Sequence, residues 1–308
     1  MTAIELTGLT KRFGAKTAVD DLTVTVRSGA VTGFLGPNGS GKSTTMRMIL
    51  GLDNPTAGRA RIGGRTYAQL PDPMRTVGAL LDAGWVHPNR SARSHLRWQA
   101  AAAGLQRTRV DEMLELVGLT SVARKRVGTF SLGMRQRLGL AGALLGDPEV
   151  LVLDEPVNGL DPAGIAWIRG MLHRLAAEGR TVLVSSHMLA EMALTATDLV
   201  VIGNGRLVAQ GSTTEVLGGS ARVVRVQAAI PAALTEALQA AGLQVQELPG
   251  EHAVEVPGAT PGQVGEVAAQ RGLVLHELTA RQPSLEEAFM ELTGDRSEFV
   301  AATGAVAS

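Results

Sequence analysis

The stretch FLGPNGSGKSTT, residues 34–45, gathers three glycines, a proline and a lysine into twelve residues. Lysine stands only at positions 11, 16, 42 and 125, arginine having taken most other basic positions, so Lys42 is not surface filler. Residues 36–43 fit G-x-x-x-x-G-K-[ST], with the run VTGFL (31–35) before them and the helical pattern STTMRMILGL (43–52) behind. A triphosphate carries dense negative charge on oxygens that must be approached closely, so backbone N–H groups converge on it and side chains stay clear. Gly36, Gly39 and Gly41 give that clearance, and Pro37, Asn38 and Ser40 fill the positions between. Lys42 supplies a mobile positive charge for the β and γ phosphates, while Ser43, followed by Thr44, offers a hydroxyl to Mg²⁺.

A strand–loop–helix of this kind belongs in a parallel sheet, and the surrounding rhythm agrees. VLVLD (150–154), TVLVSS (181–186) and DLVVI (198–202) alternate with helical patterns, as strands buried on both faces do. LTVTV (22–26) alternates in period two and reads as a half-buried antiparallel strand, so the chain opens with a small β subdomain. Ligands of open parallel sheets lie beyond the carboxyl ends of strands, and three of these runs end in chemistry. Gly36 follows the first. VLVLDEP ends in two consecutive carboxylates, which no core buries without a charged partner. Asp154 suits a Mg²⁺ ion held through its water shell, and Glu155 suits accepting a proton from an attacking water. TVLVSS ends at His187, where a neutral imidazole either donates to a γ-phosphate or orients the water.

Residues 89–145 are rich in alanine, arginine and leucine, mostly helical, and hold no buried strand. One later helix is well punctuated: Asp161 caps it, Pro162 takes the first turn, Ile165, Ile168, Leu172 and Leu175 form an apolar stripe, and Gly179 ends it. After residue 221 the rhythm becomes β-α-β-β-α-β, which predicts a ferredoxin-like module. A last helix opens at PSLEEAF, where Ser284 and Glu287 have capping-box spacing, and the ending FVAATGAVAS reads as frayed.

Among the 308 residues, Lys plus Arg equals Asp plus Glu at 29 each, so no global basic field attracts nucleic acid. There is no cysteine, which excludes disulfides and thiol chemistry and suits a reducing cytoplasm. The first residues lack the apolar core of a signal peptide, and LGLAGALLG (138–146) falls short of the roughly 20 residues a spanning helix needs. A membrane role therefore comes through a partner.

These motifs resemble the ATP-binding cassette (ABC) family, in particular the ATPase subunits of bacterial ABC-2-type exporters, over about residues 3–215. The implied cofactors are ATP and Mg²⁺. In that family the helical subdomain carries a signature similar to L-S-G-G-Q, and FSLGMRQRL (130–138) stands in its place. Ser131 and Gly133 match it, while Leu132 and Met134 replace a glycine and a glutamine. Ser131 also suits capping the helix through Leu138, Leu140 and Leu144, which makes its N-terminus a second anion site; the bland reading is an ordinary capped core helix. One nucleotide does not easily occupy both sites. The family's resolution is a head-to-tail homodimer in which each signature closes on the γ-phosphate held by the other subunit.

The resemblance further implies that Phe13 stacks on adenine, although an isolated Phe is commonly core, and that NGLD (158–161) places Asp161 near the dimer seam. His187 matches the switch histidine. Asp82 falls where most of the family has a glutamine that senses Mg²⁺ and couples to the permease; a carboxylate accepts hydrogen bonds but lacks the amide's two donors, so the resemblance leaves Asp82 a metal contact through water and puts the coupling geometry in question. Trp85 and the loop to Asn89 follow, where the family docks a permease helix. The ending PSLEEAFMELTG resembles the close of this exporter subgroup.

The expected fold is therefore α/β: a P-loop NTPase parallel-sheet core with an antiparallel β subdomain and a helical signature subdomain (residues 1–220). An α+β accessory domain (221–295), which dimerises or regulates, and a flexible tail (296–308) follow. The implied activity is ATP hydrolysis that powers export through a separate integral-membrane permease, on the cytoplasmic face. The alternatives are a soluble ABC ATPase acting on DNA or ribosomes, and a sensor that binds ATP without turnover. About 110 residues separate Lys42 from Asp154, with no room for a long coiled coil, and one cassette is found rather than two. Neutral charge opposes nucleic acid, and Glu155 and His187 oppose a sensor.

Overall fold

A computed structural model describes residues 2–218, 223–248 and 253–281. The helix expected at PSLEEAF and the tail lie outside them. The chain forms two compact units, one running to Thr213 and the other beginning at Thr214.

The first unit opens with β1 (Ile4–Phe13), β2 (Lys16–Val26), β3 (Val31–Leu35), α1 (Lys42–Ile49) and β4 (Ala57–Ile62). There follow α2 (Pro73–Thr76), β5 (Val77–Leu80), α3 (Ala92–Ala102), α4 (Thr108–Leu116), α5 (Leu132–Leu144) and β6 (Val150–Asp154). Then come α6 (Pro162–Ala177), β7 (Thr181–Ser186), α7 (Leu189–Thr195), β8 (Asp198–Gly203) and β9 (Arg206–Ser212). Strands β2-β1-β4 make an antiparallel sheet, and β5-β6-β7-β3-β8-β9 make a second sheet, parallel except for β9.

β3 and the first four residues of β6 are buried throughout, which is why they read as unbroken apolar runs. β2 instead alternates over its last five residues, burying Leu22, Val24 and Val26. Those side chains meet Met46 and Ile49 of α1 and Val152 and Val200 of the parallel sheet in one core, so α1 is held between the two sheets. Each such side chain contributes about 1.5–3 kcal/mol by burial, and Ile49→Asp would break the layer that fixes the helix behind the glycine loop.

Two strands of this sheet escape the sequence rhythm. β5 is only VGAL, and Gly and Ala are poor strand formers. Its glycine has a tertiary cause: a Cβ on Gly78 would lie 2.0 Å from the Ala143 carbonyl oxygen. The reciprocal glycine on α5 is Gly139, where a Cβ would lie 2.5 Å from Leu80 Cδ1. Backbone thus meets backbone where the helical segment α3–α5 joins the sheet. β9 is an edge strand, partly exposed along its length, whose pairing with β8 is antiparallel.

The second unit begins within α8 (Thr213–Gly218) and continues with β10 (Val223–Ala228), α9 (Pro231–Ala240), β11 (Gln246–Glu247), β12 (Ala253–Pro257), α10 (Pro261–Gln270) and β13 (Leu275–Arg281). Its sheet is antiparallel in the order β11-β12-β10-β13. Val224 and Val226 of β10 pack with Leu234 and Leu238 of α9 and Val264 of α10. Thr260 and Gln263 cap α10 reciprocally, Thr260 N–H donating to Gln263 Oε1 at 2.9 Å and Gln263 N–H to Thr260 Oγ1 at 3.3 Å.

Among the described residues no helix is long and apolar enough to cross a membrane.

Candidate functional site

The parallel register brings three strand ends together. Asp154 of β6 stands opposite Ser185 of β7, and Ser186 stands opposite Leu35 of β3, so Gly36, Asp154 and His187 leave one edge of the sheet.

Backbone space decides the loop after β3. A Cβ on Gly36 would lie 2.4 Å from Ser40 Oγ and 2.5 Å from the Ile202 carbonyl oxygen. Gly41 has φ +103° and a Cβ there would lie 2.5 Å from the Ala18 carbonyl oxygen. Neither position admits a side chain without moving backbone. Pro37 closes a turn by accepting from Ser40 N–H at 3.1 Å. Ser40 is buried and its Oγ has no partner. The loop delivers the chain into α1 at Lys42, where no side chain caps the helix.

Asn38, Gly39, Gly41, Lys42, Ser43, Thr44, Asp154 and Glu155 line a cavity of ≈ 280 Å³. Lys42 is 7% exposed. Its Nζ donates to the Gly36 carbonyl at 2.6 Å and the Pro37 carbonyl at 3.1 Å. Burial holds its ammonium below the usual lysine range, opposed by the negative charges of Glu155 and Asp154.

Across the cavity, Ser185 Oγ donates to Asp154 Oδ1 and accepts from Glu155 N–H at 3.0 Å. Glu155 has φ +48°, a left-handed conformation uncommon outside glycine that turns its carboxylate away from the strand. Oε1 lies 2.9 Å from His187 Nδ1, while Oε2 is buried without a partner. A buried carboxylate oxygen with no donor is unfinished chemistry.

The remaining sequence-predicted residues stand elsewhere, outside the wall of this cavity. Ser131 caps α5, its Oγ accepting from Met134 N–H at 3.2 Å. Gly133 permits close approach of the 158–161 loop, since a Cβ there would lie 2.9 Å from the Gly159 carbonyl oxygen. Asp161 caps α6 through Gly164 N–H at 3.0 Å. Phe13 is 52% exposed at the end of β1, with Lys11 Nζ 5.0 Å from its ring centroid. Asp82 accepts from Gly84 N–H at 2.6 Å and faces a second cavity, of ≈ 410 Å³, together with Leu52, Trp85 and Trp98; Leu81 takes the place in the phosphate cavity.

Two residues were missed by sequence reasoning. Ser185 joins Asp154 to Glu155, and Gln136 on α5 donates from Nε2 to the Glu155 carbonyl at 3.2 Å. Ser185 carried a signal, a serine where a buried strand ends beside the carboxylates; Gln136 carried none.

A glycine loop between a parallel strand and a helix, with a facing strand-end Asp-Glu pair, defines a P-loop nucleoside triphosphatase. The family profile described as ABC transporter matches residues 19–158, and that of a domain of unknown function matches residues 221–286. A bacitracin transport ATP-binding protein of Bacillus licheniformis is 35% identical over 305 residues, which cover 95% of this chain and 98% of the relative. A daunorubicin resistance ATP-binding protein of Streptomyces coeruleorubidus is 35% identical over 305 residues, 96% of each chain. A solved ATP-binding subunit of an ABC transporter superposes with TM-score 0.64 at 28% identity over 70% of this chain and 92% of that one. The chain belongs to the ABC transporter family and is one of its ATP-binding cassettes.

Proposed function

We propose that this chain binds and hydrolyses ATP with Mg²⁺, and that two copies closing head to tail drive export through a separate membrane permease. The observation that carries the reading is the unfinished carboxylate: Glu155, whose Oε2 is buried without a partner, lines the same cavity as Lys42 and the glycine loop. Lys42 neutralises phosphate charge, and the loop N–H groups and the N-terminal end of α1 add to it. Glu155 takes the proton of the attacking water, and His187, whose Nδ1–H donates to Oε1 at 2.9 Å, orients the carboxylate for it.

Magnesium fits the residues present. Ser43 and Asp154 both line the cavity, offering a hydroxyl and a carboxylate oxygen, the hard ligands this ion takes. Bound there with phosphate oxygens and water, it would spread the charge that develops on the transferring phosphoryl group.

Dimerisation is supported by what each chain lacks. Ser131 and the exposed first turn of α5 lie outside their own chain's phosphate cavity, where they are free to meet another subunit's nucleotide. Phe13, half exposed, suits adenine stacking. Permease docking is supported by the ≈ 410 Å³ cavity, where Trp85 and Trp98 are 61% and 57% exposed. Asp82 faces that cavity, which favours coupling over metal binding for it. Attachment through a permease places the chain at the cytoplasmic face of the membrane, and the resistance and transport names of its relatives support outward movement of cargo. The second unit is read as a ferredoxin-like accessory domain, supported by its β-α-β-β-α-β order and antiparallel strand arrangement.

Light scattering of Glu155→Gln tests the assembly. With ATP and Mg²⁺ the variant is expected at twice the monomer mass, and a monomer at every concentration would overturn the closed dimer.

A further inference from the structure

We propose that Gln136 is a positioning residue that ties the signature helix to Glu155 of the same subunit, so that seating α5 on the partner's nucleotide aligns the water-activating carboxylate at home. This rests on the reading of Glu155 as general base. Glu155 holds a left-handed conformation at φ +48°, which persists only when its surroundings fix it. Three donors and acceptors do so. Ser185 Oγ accepts from its N–H at 3.0 Å, and its carbonyl accepts from Asn158 N–H at 3.2 Å and from Gln136 Nε2 at 3.2 Å.

Of these, only Gln136 comes from the helical segment. It is 7% exposed, and its Oε1 is buried with no partner, so the amide is kept inside for the bond its Nε2 makes. It sits on the helix that Ser131 caps, just over one turn further on, so a tilt of α5 moves the donor against the Glu155 peptide. Gly133 on the same turn packs against the 158–161 loop, which makes the N-terminal end of α5 contiguous with the segment that follows Glu155.

The test is steady-state ATP hydrolysis by the full chain carrying Gln136→Met or Gln136→Glu. Methionine keeps the volume without a donor; glutamate keeps the shape and donates only when protonated. Gln136→Met is expected to lower kcat roughly 5- to 10-fold at every pH, the loss of one hydrogen bond, with KM for ATP within about twofold. Gln136→Glu is expected to be as slow at alkaline pH and to recover toward wild type as pH falls and its carboxyl takes up a proton. In a Glu155→Gln background neither change lowers the residual turnover further.

Unchanged kcat in Gln136→Met would overturn the proposal, as would an equal loss in the Glu155→Gln background or the absence of pH recovery in Gln136→Glu. If neither variant folds, the role is packing and the proposal fails. Wild-type turnover in Glu155→Gln alone would instead overturn the general base itself, a separate result.

Discussion

The N-termini of α1 and α5 are built in opposite ways. Ahead of α1 stands Gly41, with no capping side chain, and the first turn opens into a cleft beside a buried lysine. Ahead of α5 stands Ser131, whose hydroxyl satisfies Met134 N–H, and the turn lies at the surface with Leu132 49% exposed. Neither helix has an acidic residue in its first turn. Both therefore leave the positive end of a helix dipole to an outside anion, but only the first supplies the charge and clearance to hold one unaided. A preformed site and a half-site on one chain are what a head-to-tail pair needs.

The largest expected effect lies in the preformed site. Glu155→Gln removes the proposed base but leaves the glycine loop and Lys42 in place. Turnover is expected to fall by about 10²- to 10⁴-fold while ATP affinity is retained. Phosphate release and nucleotide titration check the two halves, and unaltered turnover would remove Glu155 from the chemistry.

Lys42→Ala should act on binding itself. A charge-assisted hydrogen bond contributes about 1.5–3 kcal/mol, so Kd for ATP should rise roughly 10- to 150-fold. Equal affinity in the variant would show that the backbone loop alone holds the phosphates. The same residue gives a pH signature. Burial lowers the folded-state pKa of Lys42, so just below the ordinary lysine range the folded state binds fewer protons than the unfolded one. Stability therefore gains with rising pH through that window from this group, and Lys42→Met should remove the gain, as urea midpoints across alkaline pH would show.

How legible these two ends were depends on how local their chemistry is. Asp154 ends a strand, and the glycine loop, Glu155 and His187 each follow directly on one, so contiguous residues carry both the fold signal and the candidate chemistry. Ser131 and Asp161 were visible as caps because capping is local, and both caps form. What stayed hidden is tertiary. The left-handed turn at Glu155 has no glycine to announce it, since Ser185 and Gln136 hold it from β7 and α5. β5 was hidden because Gly78 is chosen by the Ala143 carbonyl it faces rather than by strand propensity. Asp82 was assigned by its place in a motif, and its loop turns it toward the second cavity, a matter of a single peptide that spacing does not record.

In the half-site, Ser131 has two separable duties. Aspartate caps a helix about as well as serine, so Ser131→Asp keeps the cap but sets a negative charge where the partner's γ-phosphate would arrive. Hydrolysis should drop by about tenfold or more, like charges in close contact being strongly disfavoured, while ATP affinity of the monomer stays within about twofold. Normal turnover in this variant would mean that α5 never meets a phosphate.

Ser131→Ala makes the smallest change and the complementary one. The Met134 N–H loses its acceptor at 3.2 Å, and loss of a cap costs about 1 kcal/mol. In a cooperative unit of this size, thermal melts should shift down by roughly 2–4 °C. Dimer formation should weaken less than in Ser131→Asp, because the helix end keeps its free backbone donors and gains no opposing charge. An anion site that tolerates Ala but not Asp, on a helix that tolerates Asp better than Ala, would separate the two duties at one side chain. The reverse ranking would make α5 an ordinary capped helix and leave the α1 cavity as the chain's whole contribution to nucleotide binding.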